Sequence, residues 1–266
     1  MTSIIERFDS VGAFAEHVRA IPPGRYRTSN RPQNWAGELL ADALEHILTG
    51  YQAGTNRARE LFDQLTDAMP ETARPSWDLS VAGQFPCVPA YLAGVPDCMY
   101  RRDSRKTDSA PLRVFASIGV SGGITAADAE RRGAAVLALC MKLEAVRPVE
   151  LYLYSDMGGS GYACTPIVRV QTQPLDLASA SYAMANIATL RRICFRFVDY
   201  HTNNLWQGGW AWDLDPSHSV ARDATRAAVG ATADDLVIPA MYVDDPCVTT
   251  PVEWINRQLN RYAPVA

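Results

Sequence analysis

The chain has no long apolar run. Its richest one, Gly133 to Met141, is interrupted by Lys142 and falls short of the roughly 20 residues that span a bilayer. The first residues, Met1 to Arg7, lack the extended apolar stretch of a secretory leader. No two of the six cysteines, at 87, 98, 140, 164, 194 and 247, are spaced C-x-x-C, which argues against a zinc ribbon or a thioredoxin-type pair. Excess charge of either sign is also missing. Lys and Arg number 25 against 29 Asp and Glu, a formal charge of −4. A generally basic coat for nucleic acid is therefore excluded, while a local basic groove is not. There is no internal repeat and no low-complexity tract. Together these absences lead to the expectation of a reduced, cytoplasmic protein with free thiols.

What is present suits a folded core. The 266 residues are 48% apolar and 20% charged, an ordinary globular balance. Up to about residue 110 the chain reads as helices joined by proline-rich turns. Ser10 caps a helix over 11–19, and Pro22-Pro23-Gly24 ends it. Trp35, Leu39, Ala43, Leu44, Ile47 and Leu48 recur at helical spacing over 34–51, with Gly50 placed to stop the helix. A further helix spans 55–69. The prolines and glycines of 83–97 exclude a regular helix or central strand there. Residues 100–106 form a polar, basic loop.

From residue 111 the pattern changes. A strand over 112–118 leads into the glycine-rich turn Gly119-Val120-Ser121-Gly122-Gly123. Thr125 and Asp128 then open a long, largely buried helix to about 146. Strands follow at 149–154 and 167–171, with no room for a helix between them, so they pair antiparallel. A helix at 178–190, a strand at 193–198, a helix at 217–229, a strand at 236–243 and a last helix to about 262 complete the chain. Strands alternating with helices predict a three-layer α/β fold with a mostly parallel sheet and one antiparallel hairpin. The expected division is a helical extension over 1–110, wrapping a core domain over 111–266.

This element order, with a hairpin directly after the first βαβ unit, resembles a von Willebrand factor A-type domain over about 111–262. Domains of that family usually carry a metal-ion-dependent adhesion site built on Asp-x-Ser-x-Ser after the first strand, helped by a later Thr and Asp. Here Ser121 matches, Gly119 and Gly123 replace the other two positions, and Asp199 and Thr172 stand as the later partners. The resemblance thus implies a degenerate metal site at Ser121 and Asp199. With so few oxygen ligands it is expected to be empty. The N-terminal half, through Asn34-Trp35-Ala36-Gly37, Leu48-Thr49-Gly50 and the stretch from Ala82 to Pro96, resembles uncharacterised tailed-phage proteins. That implies a phage origin and, with it, the host-cell cytoplasm.

Other chemistry is thinly signalled. The 119–123 turn sits where open α/β sheets bind ligands, but Walker A and dinucleotide-binding spacings are absent. The same glycines serve a tight turn under a closely packed helix. Ser160 is not on a nucleophile elbow, and Cys164 has no recognisable histidine partner. His201 and His218, with Asp199, Asp213, Asp215, Asp244 and Asp245, are the candidates for a metal-dependent hydrolase, although such aspartates also serve turns and caps. His17 and His46 read as surface or half-buried positions on helices. Trp206, Trp210 and Trp212 on a glycine-bearing loop offer stacking platforms, and Tyr100, Arg101, Arg102, Arg105 and Lys106 offer phosphate or partner contacts. The expectation is a non-enzymatic protein-interaction module without a cofactor. The alternatives are a single-stranded nucleic-acid-binding accessory factor in phage transcription or replication, and a metal-dependent hydrolase.

Overall fold

A computed structural model describes residues 2–22, 37–50, 52–66, 77–82, 85–102, 110–121, 123–144, 147–159, 162–172, 177–202 and 219–262. The central strand is β5 (Leu112–Ser117), buried along nearly its whole length, as expected of a strand covered on both faces. On one side it pairs in parallel with β6 (Val149–Tyr154), and on the other with β9 (Leu236–Ile238). β6 pairs antiparallel with β8 (Tyr162–Val170), which pairs in parallel with β1 (Thr2–Phe8). The order is therefore β1-β8-β6-β5-β9. A short β7 (Met157–Gly159) continues the line of β6 along β8. The break between β6 and β7 falls at Ser155 and Asp156. Pro166 opposite has no N–H to offer, and Thr165 instead donates its hydroxyl to Asp156 at 3.0 Å.

Helices cover both faces unequally. The thicker layer contains α5 (Ala126–Glu144), α6 (Leu177–Ala185), α1 (Val11–Ala20), α2 (Leu40–Thr49), α3 (Gln52–Thr66) and α10 (Pro251–Tyr262). Val114, Ala116, Leu151 and Leu153 pack into it. The opposite face is a smaller cluster of Phe115, Tyr154, Ile167 and Val229, the last from α8 (Ser219–Val229). Several expected caps are present. Ser10 Oγ accepts the Ala13 N–H at 3.0 Å, Thr125 Oγ1 accepts that of Asp128 at 3.1 Å, and Gly50 ends α2 at φ 96°.

Four sequence expectations are corrected. Residues 2–8 form an edge strand, so the sheet begins at the chain's second residue. Alternating Ile4, Glu6 and Phe8 put one face against α1. The expected strand at 193–198 is helical. A π-helical turn (Thr189–Cys194) runs into α7 (Phe195–His201). Burial on every side of this run erased the period that separates helix from strand. Its true signal is the spacing of Arg192 and Arg196, four apart, which both reach inward to backbone carbonyls, Arg192 to Glu38 and Arg196 to Ile21 and Pro22. The strand expected over 236–243 stops at Ile238, before Pro239. The helix expected from residue 34 begins at Leu40, and positions 34–36 lie outside the described residues.

Residues 77–102 make a separate three-stranded sheet. β2 (Trp77–Ser80) and β3 (Phe85–Pro86) flank β4 (Met99–Arg102), both antiparallel to it. A short α4 (Val88–Leu92) lies between β3 and β4. Among the described residues, no helix is long and apolar enough to cross a membrane.

Candidate interaction face and histidine–carboxylate cluster

The turn after β5 is closed by the protein's own groups. The Ser121 N–H donates to the Met241 carbonyl and the Met241 N–H to the Gly119 carbonyl, both at 2.9 Å. The Gly119 N–H donates to Ser117 Oγ at 3.0 Å. Beneath this zipper lies Arg132, 2% exposed. Its guanidinium donates to the Ser117 carbonyl at 2.6 Å and to that of Pro239, and it stands 3.5 Å from the Asp245 carboxylate. The crevice between β5 and β9, where an open sheet would take a ligand, is thus filled by a buried cation. Asp245 also caps α9 (Pro246–Thr249) through the Cys247 N–H.

The residues matched to an adhesion-type metal site lie on separate parts of the fold. Ser121 belongs to this β5–β9 zipper. Asp199, expected just after a strand, is buried in α7, whose Phe197 packs on Phe8 of β1. Thr172 donates to the Val149 carbonyl at 2.6 Å, at the start of β6 and so at the opposite end of the sheet from Ser121. Asp213, Asp215, His218, Arg105, Lys106, Trp206, Trp210 and Trp212 fall outside the described residues.

Tyr100, Arg101 and Arg102, read as a loop, form most of β4 in the small sheet. The Tyr100 phenol hydrogen-bonds the Cys87 thiol. That bond is the main reason Cys87 sits below the ordinary thiol range and Tyr100 above the ordinary phenol range. By contrast, burial pushes Cys140 and Cys164 up to about 12. All six cysteines are free. Around the small sheet, Leu79, Val81, Val88, Tyr91, Leu92 and Val95 are exposed, Leu92 to 78%. These six stand within a short stretch, and only five other described large apolar residues are exposed anywhere else.

A second constellation escaped the sequence reading. Glu6 of β1, His17 of α1 and His201 at the end of α7 each bring a potential ligand atom within 4.8 Å of the others. His201 Nε2 is 3.4 Å from Glu6 Oε2, and His17 Nδ1 is 3.8 Å from Glu6 Oε1. The imidazoles lie parallel, centroids 6.0 Å apart, and Phe8 and Phe197 pack against them. Desolvation, aided by His17 and opposed by Glu6, lowers the pKa of His201. The sequence singled out His201 but grouped it with Asp244 and Asp245, and with His218, Asp213 and Asp215, which lie outside the described residues. Glu6 is level with Pro166 and hence with the end of β6, on the edge strand farthest from β9 and the 244–245 aspartates. The one local signal was Glu6 itself, a carboxylate on the apolar face of an alternating strand.

Residues 2–261 match the family described as a domain of unknown function, DUF7192. The chain belongs to this family. The match runs from β1 to α10, taking in both sheets. No curated protein and no solved structure matches the chain.

Proposed function

We propose that the protein is a protein-interaction module whose docking face is the small sheet with α4. The observation that carries this reading is the concentration of Leu79, Val81, Val88, Tyr91, Leu92 and Val95 at the surface. Isolated exposed apolar side chains are normal, but grouped ones mark interaction sites. Tyr91 and Tyr100 add amphipathic aromatic rings of the kind that dominate binding energy at interfaces. The occupant this face suits is a folded protein partner that presents apolar side chains of its own. The β5-α5-β6-β8 order is in keeping with a von Willebrand A-like domain, and a phage-encoded partner or host target is in keeping with the N-terminal resemblance.

The test is cross-linking of the full chain in a lysate of its host, followed by mass spectrometry, with Leu92→Glu and Tyr91→Ala as comparison proteins. The expected result is a defined partner cross-linked to residues 79–100 and lost from both variants. A partner set unchanged by the variants overturns the reading. So does saturable binding of a labelled single-stranded oligonucleotide that weakens steeply with salt, which would assign the chain to nucleic acid instead.

A further inference from the structure

We infer that Glu6, His17 and His201 form a binding site for one divalent transition-metal ion of the zinc class. The donor set is two imidazoles and one carboxylate, which suits zinc and its neighbours and not magnesium or calcium. The spacing is close to what such an ion needs. Metal–ligand bonds of about 2.0–2.1 Å in a tetrahedron place ligand atoms about 3.4 Å apart. His201 Nε2 stands 3.4 Å from Glu6 Oε2, and His17 Nδ1 stands 3.8 Å from the other oxygen, Oε1. With one ligand atom from each residue, every edge is no longer than 4.8 Å, so binding draws both rings toward a shared ion.

The present contacts leave polar atoms unsatisfied. His201 Nε2 is buried and, although it lies near the Glu6 carboxylate, makes no hydrogen bond among the described residues. A buried polar atom in that state has lost its water without a replacement, and a metal bond at that nitrogen would satisfy it. Each ligand comes from a different regular element. Glu6 is held by the pairing of β1 with β8, and the two rings are held by Phe8 and Phe197. The frame is therefore rigid enough to present a site in advance of the ion.

Two features set the character of the site. The three side chains are 34%, 32% and 21% exposed, so an ion can enter and water can complete its shell. Three protein ligands and an open position are the arrangement of exchangeable or catalytic sites, not of closed structural ones. His17 Nε2 is buried without a hydrogen-bond partner among the described residues, so no outer partner raises the basicity of that ring. Affinity should accordingly be weaker than that of a structural zinc site.

The inference is independent of the interaction face, and its test reads metal alone. The full chain, stripped with chelator, is titrated with Co²⁺ while visible absorption is followed, and with Zn²⁺ in a calorimeter. The expected result is one ion per chain. Binding should weaken by roughly 100-fold or more in Glu6→Gln and His201→Asn, more than the 10–100-fold that a ligand's hydrogen-bond partners carry. His46→Ala should bind as the wild type does. It removes the other histidine–glutamate pair, His46 with Glu38 at 2.6 Å. Circular dichroism in chelator checks that Glu6→Gln, which is nearly isosteric, is folded. Absence of stoichiometric binding, or binding that both ligand variants retain, overturns the inference.

Discussion

Asp235 illustrates how single side chains hold the β9 edge. It is 5% exposed, and it accepts from Arg113 Nε at 3.0 Å and Nη2 at 2.5 Å. It also accepts the Thr232 N–H at 2.6 Å and the Thr232 hydroxyl at 2.9 Å. Burial alone would raise its pKa. The bonds from Arg113 and Thr232 outweigh burial, and the carboxyl sits below the usual range. A carboxylate whose folded pKa is depressed stabilises fully above its unfolded value, and the contribution disappears as pH falls through the folded value. Asp235→Asn is therefore expected to cost about 1–2 kcal/mol near pH 7, given the partial exposure of Arg113. That difference should begin to shrink as pH falls below the unfolded carboxylate value of about 3.9 and should vanish below the lower, folded value. Urea midpoints of both proteins across that range check it, and a pH-independent gap would mean that the ionised carboxylate is not the source. The pair was not legible in the sequence, since Arg113 lies on β5 and Asp235 just before β9, strands that pair only once the sheet is formed. The caps at Ser10 and Thr125 were legible, because their partners lie within three residues.

Among the elements, the long helix α5 was readable because its apolar run is long and its cap is local. What the run did not reveal is how closely another helix approaches it. A Cβ built on Gly133 would stand 2.6 Å from Ala185 Cβ and 2.7 Å from Ala185 Cα, so α5 and α6 meet nearly backbone to backbone. Gly133→Ala is expected to destabilise by about 1–2 kcal/mol. Overpacking costs about 1–3 kcal/mol, and the gain in helix propensity, about 1 kcal/mol, offsets part of it. A thermal melt should show a fall of a few degrees, and an unchanged or raised midpoint would mean the helices separate without penalty. The π-helical turn and α7 were misread as a strand for a related reason. In a run buried on every side, type is settled by neighbours and not by pattern. That one misreading also misplaced Asp199, which lies buried in α7 and not at the end of a strand.

At the scale of the molecule, β1 is the element that most changes the picture. Met1–Arg7 was read only for what it lacked, yet residues 2–8 close one side of the sheet and supply Glu6. A strand this short, at an edge and starting at the chain's second residue, carries too few positions for alternation to stand out. Removing residues 2–8 is expected to bare the β8 edge, a template for pairing between chains. The truncated protein should associate in size-exclusion chromatography and lose Zn²⁺ binding, whereas a monomeric, fully folded product would show that β1 is dispensable. The legible part of the fold was the set of long helices, α1 to α3 among them, and the strands at 112–117 and 149–154. The illegible part was long-range: which strand lies at the edge, and which histidine meets which carboxylate.

The register of β1 on β8, from Thr2 against Tyr162 to Phe8 against Val168, has a bearing on how the chain is made. Each pair joins positions 160 apart, so β1 must wait for its partner during synthesis. At about 5–20 residues per second the delay is roughly 8–30 s. During that time the open hydrogen-bonding groups of β1 stay unpaired. β1 can dock only once residues 162–168 have been made, and the sheet is complete only when β9, at 236–238, has followed.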